Sequence, residues 1–494
     1  MRPLFTAAPS LFRLVSRLSH FSFSMFLAFF PLGVSTVCAD VIDVGLDKQL
    51  FVDDHVVASA NDVERLLGRV EKDSRPIYSE EEGGWLYGTV LYHEGRFKFW
   101  YRHRKGFGYA ESSTGVEFRK KALLEGINFA GDYSLAVELN RPDADPEHRF
   151  IAGYDAPGMA MGIAHSADGI HWTPYNDGKP VTYRAADTYN QVFWDPYAST
   201  YRLVTRTDFG GGGGPRAGTI AKKFEVRGSR LMSNPDIRRN PVGWKLVKHM
   251  AFNREPKEYL RRQIYSMTVW PYAGIYFGLV FVYEYPADVS EGLEVDTVRR
   301  HERNVLNFYL ATSRDCENWD FRWVYAGAPI VPRGSDRSFD KDSVAPASTI
   351  VTHDDRHWLY YMGNDERHTS YEIDPPLTHE PSRKLGLATL RLDGWIRLHA
   401  GFEPASVVTK PFVLEGERLQ VNVDARAGNV RVEVLDASGK PISGYVGDDA
   451  KVYKHVDELR LEPVWSRPLS ELRGKTVRLR FGMRFADLYA FQVR

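Results

Sequence analysis

The sequence predicts an all-β fold, a five-bladed β-propeller with a C-terminal β-sandwich, and three observations carry that expectation. A hairpin signal recurs five times, strand-like alternation fills the intervals, and the pattern changes near residue 400. The signal is Ser or Thr, then Asp with Gly or Asn nearby, then an aromatic. Its fullest copy is Ser166-Ala167-Asp168-Gly169-Ile170-His171-Trp172. Asp bonds its own backbone two residues on and Gly accepts positive φ, so the pair specifies a tight turn. The aromatic then returns on the next strand, placed to pack between neighbouring sheets.

The other copies are Ser113-Thr114-Gly115-Val116-Glu117-Phe118, Ser233-Asn234-Pro235-Asp236 reaching Trp244, Ser313-Arg314-Asp315-Cys316-Glu317-Asn318-Trp319, and Leu392-Asp393-Gly394-Trp395. From Phe118 to Trp395 the aromatic anchors step by roughly 50 to 75 residues, room for one four-stranded blade with its loops. Between them Phe97–Tyr101, Tyr201–Thr205, Ile275–Leu279 and Trp358–Tyr361 read as strands. Five anchors predict five blades. Few helices are expected, and 61–70 reads as a short one.

From Thr409 onward the repeat is replaced by the alternating runs Leu419–Val423, Val430–Leu435 and Val477–Phe481, with a turn at Asp436-Ala437-Ser438-Gly439. The expected division is a signal peptide over 1–39, a propeller over 40–402 and an accessory sandwich over 403–494. Arg13 and Arg17 precede a broken apolar run, and Val37-Cys38-Ala39 fits a cleavage site, so export and a mature start near Asp40 are expected. The run is too short and too interrupted for a spanning helix, so no membrane span is expected in the mature chain.

Lys plus Arg and Asp plus Glu both number 64, which gives no electrostatic case for nucleic acid as partner. Aromatics reach 13%, a load that suits pleated sheets first and stacking on sugar faces second. With Cys38 removed, Cys316 is left alone and forms no intrachain disulfide.

The Ser-x-Asp-Gly-x-x-Trp hairpins, the five-blade count and the trailing module from Thr409-Lys410-Pro411-Phe412 to Leu488-Tyr489-Ala490-Phe491 resemble the propeller glycoside hydrolases of families 32, 43 and 68. The stretches Leu50–Asp54, Phe193–Pro196, Ala388–Gly394 and Gly474–Leu479 are closest to uncharacterised exported bacterial proteins of family-32-like type. The resemblance implies three acidic residues at the mouth of a central funnel: a base or nucleophile, a proton donor, and a group that orients the donor. The chain departs from family 32 in two places. Trp85-Leu86-Tyr87-Gly88-Thr89-Val90 lacks the carboxylate of that family's Asn-Asp-Pro motif, and the Glu-Cys acid motif is absent.

The candidate acids are therefore read from this chain's own pattern. Glycoside hydrolysis needs two carboxyl groups facing one bond, one of them held protonated. In a propeller the first strand of each blade lines the channel. Asp187 precedes the strand Thr188–Trp194, Asp342 precedes the inner strand expected at Ala347–Val351, and Glu284 ends the apolar run Tyr276–Tyr283. These three form the expected catalytic set. Arg206, at the end of Tyr201–Thr205, and His368, after the fifth-blade strand, are candidate substrate contacts, joined by Asp54 and by Asp340, which shares a strand face with Asp342. Asp195-Pro196 reads as a turn. The five glycines 210–214 lack the context of a phosphate loop and read as a loop over the funnel. Histidines show no metal-ligand spacing, no cofactor is expected, and no Gly-x-Ser-x-Gly elbow is present. The function expected is an exported hydrolase of a poly- or oligosaccharide. A non-catalytic carbohydrate-binding propeller and an interaction scaffold are the alternatives.

Overall fold

The computed structural model describes residues 40–79, 87–127, 135–209, 226–284, 304–367 and 383–494. Almost all of their regular structure is β; Arg322–Tyr325 is the one α-helix among them. No helix of the described residues is long and apolar enough to cross a membrane.

Three sheets are four-stranded antiparallel meanders in chain order. The first holds Gly88–His93, Arg96–His103, Gly106–Ser112 and Arg119–Leu123. The second holds Ala136–Leu139, Phe150–Ala156, Ala160–Ser166 and Thr173–Pro174, and the third Gln191–Asp195, Thr200–Asp208, Arg227–Asn234 and Lys245–Met250. Two further meanders follow, joined edge to edge by one parallel pairing, Leu306 with Ser343. The fourth runs Arg262–Tyr272, Ile275–Glu284 and Val305–Ser313; the fifth runs Ser343–Pro346, Arg356–Asn364 and Arg383–Arg391. Val70–Lys72, far earlier in the chain, supplies the last strand of the fifth sheet by pairing with Ala388–Leu390.

The repeated signal is the turn between third and fourth strands. Ser166 Oγ donates to Asp168, whose Oδ1 accepts the amides of Ile170 and His171, while Gly169 takes φ +83°. Trp172 Nε1 donates to the Gly169 carbonyl, and so does Trp100 Nε1 from the preceding sheet, at 2.6 Å. Tyr360 of the fifth sheet likewise reaches the Gly115 carbonyl of the first. These two turns therefore each dock an aromatic from another sheet, while Trp172 and Trp319 return to the carbonyls of their own turns. At the fourth copy Cys316 occupies the positive-φ position and is fully buried. Asp195 accepts the amides of Tyr197 and Ala198 in the turn expected of it.

Hydrogen bonds link the first strands from one sheet to the next. Thr89 Oγ1 accepts the Val137 amide. Gln191, with no exposed surface, donates through Nε2 to Glu138 and to the Val269 carbonyl, and its Oε1 accepts the Val269 amide at 2.7 Å. Ser348 bonds Gly88 through its backbone and Thr89 through its hydroxyl. The first strand of the fifth sheet is Ser343–Pro346, earlier than the expected Ala347–Val351, because 347–350 bend away before Val351–His353 resumes pairing.

Two six-stranded sheets share a separate core that includes Phe51, Val407, Val432, Phe481 and Phe491. Their strands come from both ends of the chain. Lys48–Leu50 pairs with Ala486–Val493, Val57–Asn61 with Ala405–Thr409, and Val63–Leu67 with Ile396–Ala400. The short helix expected over 61–70 is thus a strand: pairing with Ile396–Ala400 gives Val63–Leu67 a partner ladder that outweighs its weak helical tendency. Arg391 reaches Asn422 and Asp457, Arg460 reaches Asp355, and Lys48 reaches Asp393, so side chains tie these sheets to the fifth meander.

Gln191→Ala should orphan the buried amide and carbonyl of Val269, at about 1–3 kcal/mol for each group. The expected outcome is a clearly lowered urea midpoint with an unchanged β-sheet circular dichroism spectrum; a midpoint equal to wild type would show that this stitch contributes little.

Candidate active site

The antiparallel register puts the start of each first strand beside the end of each second strand. Gly88 faces Tyr101, Ala136 faces Gly153, Gln191 faces Val204, Arg262 faces Glu284, and Ser343 faces Asn364. Ring contacts bring these edges together: Tyr87 of the first sheet meets Tyr189 of the third and Phe281 of the fourth, and Tyr189 accepts the Gly88 amide. Titratable side chains gather at this common edge.

Asp187 lies just before the third sheet's first strand and forms an ion pair with Arg206, whose side chain is wholly buried. Arg206 Nη2 also donates to the Tyr265 carbonyl at 3.0 Å, and its guanidinium lies 5.0 Å from the Tyr265 ring centroid. Arg227 sits over the same ring and over Tyr283. Burial, then the charge of Asp187, pushes the Tyr265 hydroxyl well up, so it stays a donor. Tyr87 is pushed up by burial first, then by Tyr189 and Asp187.

Asp155, near the end of the second sheet's second strand, is 4% exposed, and neither carboxyl oxygen has a hydrogen-bond partner in the protein. Burial, reinforced by the negative charge of Asp187 and opposed by Arg184, pushes its carboxyl from the usual 3.8 up to about 6. Thr188 Oγ1, just before the third sheet's first strand, Ser266 Oγ, within the fourth sheet's first strand, and Asn364 Oδ1, at the end of the fifth sheet's second strand, are also buried without a partner among the described residues. Native interiors rarely leave such atoms unsatisfied.

Glu284 and Asp342 form a second group. Asn307 Nδ2 and Tyr309 donate to Glu284 Oε2 at 2.6 and 2.7 Å, and Arg333 Nε donates to Asn307 Oδ1. Arg333 Nη1 stands 4.0 Å from Asp342, which also pairs with Lys341 and lies 3.9 Å from Arg367. The two groups are linked along the edge. Arg383 acts electrostatically on Tyr87 and pairs with Glu366, which accepts from Asn364, whose carbonyl accepts the Asp342 amide.

The remaining expected contacts are placed as follows. Asp340 is 1% exposed and is held by Lys72 of the closing strand and by the Tyr361 hydroxyl. Asp54 pairs with Arg65 between strands of the six-stranded sheets, so it stands with those sheets and not at the edge of Asp187 and Asp155. His368, glycines 210–214, Trp85 and Leu86 lie outside the described residues.

Sequence reasoning missed Asp155, Arg227 and Tyr265. Asp155 sits in Phe150–Ala156, a strand buried along its whole length. A carboxylate inside a fully apolar strand was the available signal. Glu138, on the second sheet's first strand, was missed as well. Burial pushes its carboxyl from 4.5 to about 8, against the opposing effect of the Gln191 hydrogen bond.

No protein-family model matches the chain, and no curated protein sequence matches it. Among solved structures it is similar to a family 43 arabinoxylan arabinofuranohydrolase from Bacillus subtilis, at 12% identity over 85% of this chain and 97% of that one, with TM-score 0.37. It is similar also to a family 32 β-fructofuranosidase from Bombyx mori, at 11% identity over 85% and 94%, TM-score 0.35. A third is an α-L-arabinofuranosidase from Podospora anserina, at 13% identity over 65% and 96%, TM-score 0.40. Likenesses this distant assign no activity, and the chemistry is argued from the side chains.

Glu138 gives this edge a pH signature. The folded state keeps a proton that the unfolded chain releases near 4.5, so its contribution to stability is full below that pH and is lost as pH rises toward about 8. Glu138→Gln should flatten thermal stability between these limits; an unchanged pH slope would remove Glu138 as its source.

Proposed function

We propose that this chain is an exported glycoside hydrolase acting on a poly- or oligosaccharide, with its site at the mouth of a five-bladed propeller and a β-sandwich beside it. The five meanders linked through their first strands support the blade count, and the two six-stranded sheets support the sandwich. The sandwich then takes Lys48–Leu67 and Ile396–Ala400 in addition to the expected 403–494, and its side-chain ties favour a bracing role.

The observation that carries the reading is the contrast between two neighbouring carboxyls. Asp155 is held protonated up to about 6 by burial and by Asp187, while Asp187 is paired with a buried guanidinium. Two carboxyl groups whose surroundings differ in this way supply an acid and a base for one bond. Asp155 is assigned as proton donor and Asp187 as the ionised partner, with Arg206 and the Tyr265 and Tyr87 hydroxyls orienting the sugar. Glu284 and Asp342 stay in the acidic set on the wall formed by the fourth and fifth sheets. The unpartnered Thr188, Ser266 and Asn364 atoms suit a ligand rich in hydroxyl groups.

One observation favours a second reading, a carbohydrate-binding protein without turnover. The described part of the first sheet's inner edge, Tyr87-Gly88-Thr89, offers no carboxylate.

A glycan panel with mass detection of released reducing ends separates the two readings: products establish a hydrolase, and binding without products establishes the second. On a cleaved glycan, Asp155→Asn and Asp187→Asn should each lower kcat by roughly 10²–10⁴-fold. The wild-type rate should fall as pH rises through about 6, where Asp155 loses its proton, and Asp155→Asn should lose that limb. Retained rates in Asp155→Asn with a collapse in Glu284→Gln or Asp342→Asn would move the proton donor to the other group.

A further inference from the structure

We propose that the two six-stranded sheets, beside their bracing role, carry a separate sugar-binding site, a platform of Phe402 and Phe485 on which one ring of a neutral polysaccharide lies flat. The choice of a sugar rests on the carbohydrate-active reading of the chain.

Three crossings between these sheets lie side by side. Asp62 turns the chain from Val57–Asn61 into Val63–Leu67, residues 401–404 turn it from Ile396–Ala400 into Ala405–Thr409, and Phe485 turns it from Thr476–Arg484 into Ala486–Val493. Asn61 pairs with Ser406 and Val63 with Ala400, which sets the first crossing beside the second. The Phe485 amide donates to the Gly401 carbonyl at 2.9 Å, which sets the third beside them.

Phe402 is 63% exposed and Phe485 42%, the only exposed phenylalanines among the described residues. Their rings meet edge to face, with centroids 5.9 Å apart. Arg484 Nε donates to the Phe402 carbonyl at 2.6 Å, and its guanidinium lies 4.5 Å from the Phe402 ring centroid. Phe485 takes φ +46°, a left-handed conformation that suits glycine and strains a bulky residue. Burial does not explain that choice, because the ring it turns outward is left half open. A side chain kept under strain, held in place and yet uncovered, points to a contact with a ligand.

Size selects the occupant. A Phe side chain presents about 150–250 Å², so the two open fractions amount to on the order of 200 Å². A stable protein interface takes about 800 Å² from each partner, four times what these rings offer. A single sugar ring, apolar on its face and polar round its rim, is of the right scale. The surround is polar in both senses: Arg484 offers donors, and Asp62 and Glu403, exposed at the crossings, offer acceptors. Sugar hydroxyls both donate and accept, and this mixture of charges gives no preference for an anion.

Native electrophoresis of the full chain through gels holding xylan, β-glucan, galactan or fructan tests this, with product release from short oligosaccharides of the same glycans measured beside it. At least one polymer should retard the wild type, and Phe402→Ala and Phe485→Gly should each weaken that affinity by roughly three- to tenfold. Phe485→Gly relieves the positive φ, so its urea midpoint should equal or exceed that of wild type while binding falls. Product release from oligosaccharides should be unchanged in both variants. Retardation equal to wild type in both variants overturns the inference. A lowered urea midpoint for Phe485→Gly does so too, because the ring is then a packing residue. A wild-type dimer in sedimentation that either variant dissociates assigns the patch to a second copy and overturns it as well. Products from oligosaccharides without retardation overturn it and leave the hydrolase reading intact. Retardation that the variants lose, with no products from any glycan, supports it and overturns the hydrolase reading; absence of both retardation and products overturns both.

Discussion

Much of this molecule depends on how the first strands of separate sheets are held against one another. Among the described residues, backbone pairing between the five meanders is sparse: Leu306 pairs with Ser343, Glu125 bridges His171, and the Ser348 amide donates to the Gly88 carbonyl. Side chains add the other contacts described here, and Gln191 spans two junctions, being bonded to Glu138 and to both backbone groups of Val269. A primary amide suits the position because it offers donors and an acceptor at once, so it can satisfy an amide and a carbonyl of the same residue. Buried and fully paired, such a contact fixes distance and angle between sheets more tightly than apolar packing does. The strand Val70–Lys72 adds a second lock. It closes the fifth sheet with a segment distant in sequence, and Lys72 anchors it on Asp340.

The same arrangement makes the site possible. An arginine with no exposed surface is expensive unless its donors are met. Arg206 is tolerated because Asp187 comes from the segment just before the strand that Gln191 begins and the Tyr265 carbonyl comes from the next sheet. Once that cation is held, Asp187 has a fixed place, and after burial, the larger cause, its charge further raises the carboxyl of Asp155 from the second sheet. Burial of Asp155 is itself a product of packing, since its strand is covered on both faces. The proton-donor role proposed for Asp155 thus rests first on burial between packed sheets and second on one ion pair.

What the sequence made legible, and what it hid, follows from this division of labour. The turn residues were readable because their requirement is local and recurs: Asp168 and Gly169 make the turn whatever lies around them, and Trp172 returns to the same carbonyl. The placing of Asp187 before a strand and of Arg206 late in one was also readable, since the alternation marks both strands. Asp155 was not, because its importance comes from burial and from a neighbour 32 positions away, neither of which has a local pattern. Strand Val63–Leu67 was misread for the same reason. Its partner lies at Ile396–Ala400, and a five-residue stretch takes its conformation from such a partner. Likewise the six-stranded sheets were seen only in their C-terminal half, where consecutive strands alternate clearly.

Each sheet, finally, has two unlike ends. Two of the turns after the third strands dock an aromatic from another sheet in the same way, Trp100 on the Gly169 carbonyl and Tyr360 on that of Gly115. The opposite edge, where first strands start and second strands finish, repeats nothing. It holds Tyr87 and Arg102 in the first sheet, Asp155 in the second, Asp187 and Arg206 in the third, Tyr265 and Glu284 in the fourth, and Asp342 and Glu366 in the fifth. Under the proposed function a ligand at this edge meets the sheets from different sides, so no two sheets need the same residue there. Repetition therefore marks the packed turns, and its loss marks the edge to which the proposed site is assigned. For this chain, searching for the repeat finds the fold. Asking where the repeat gives way to charged residues that packing does not require finds the site.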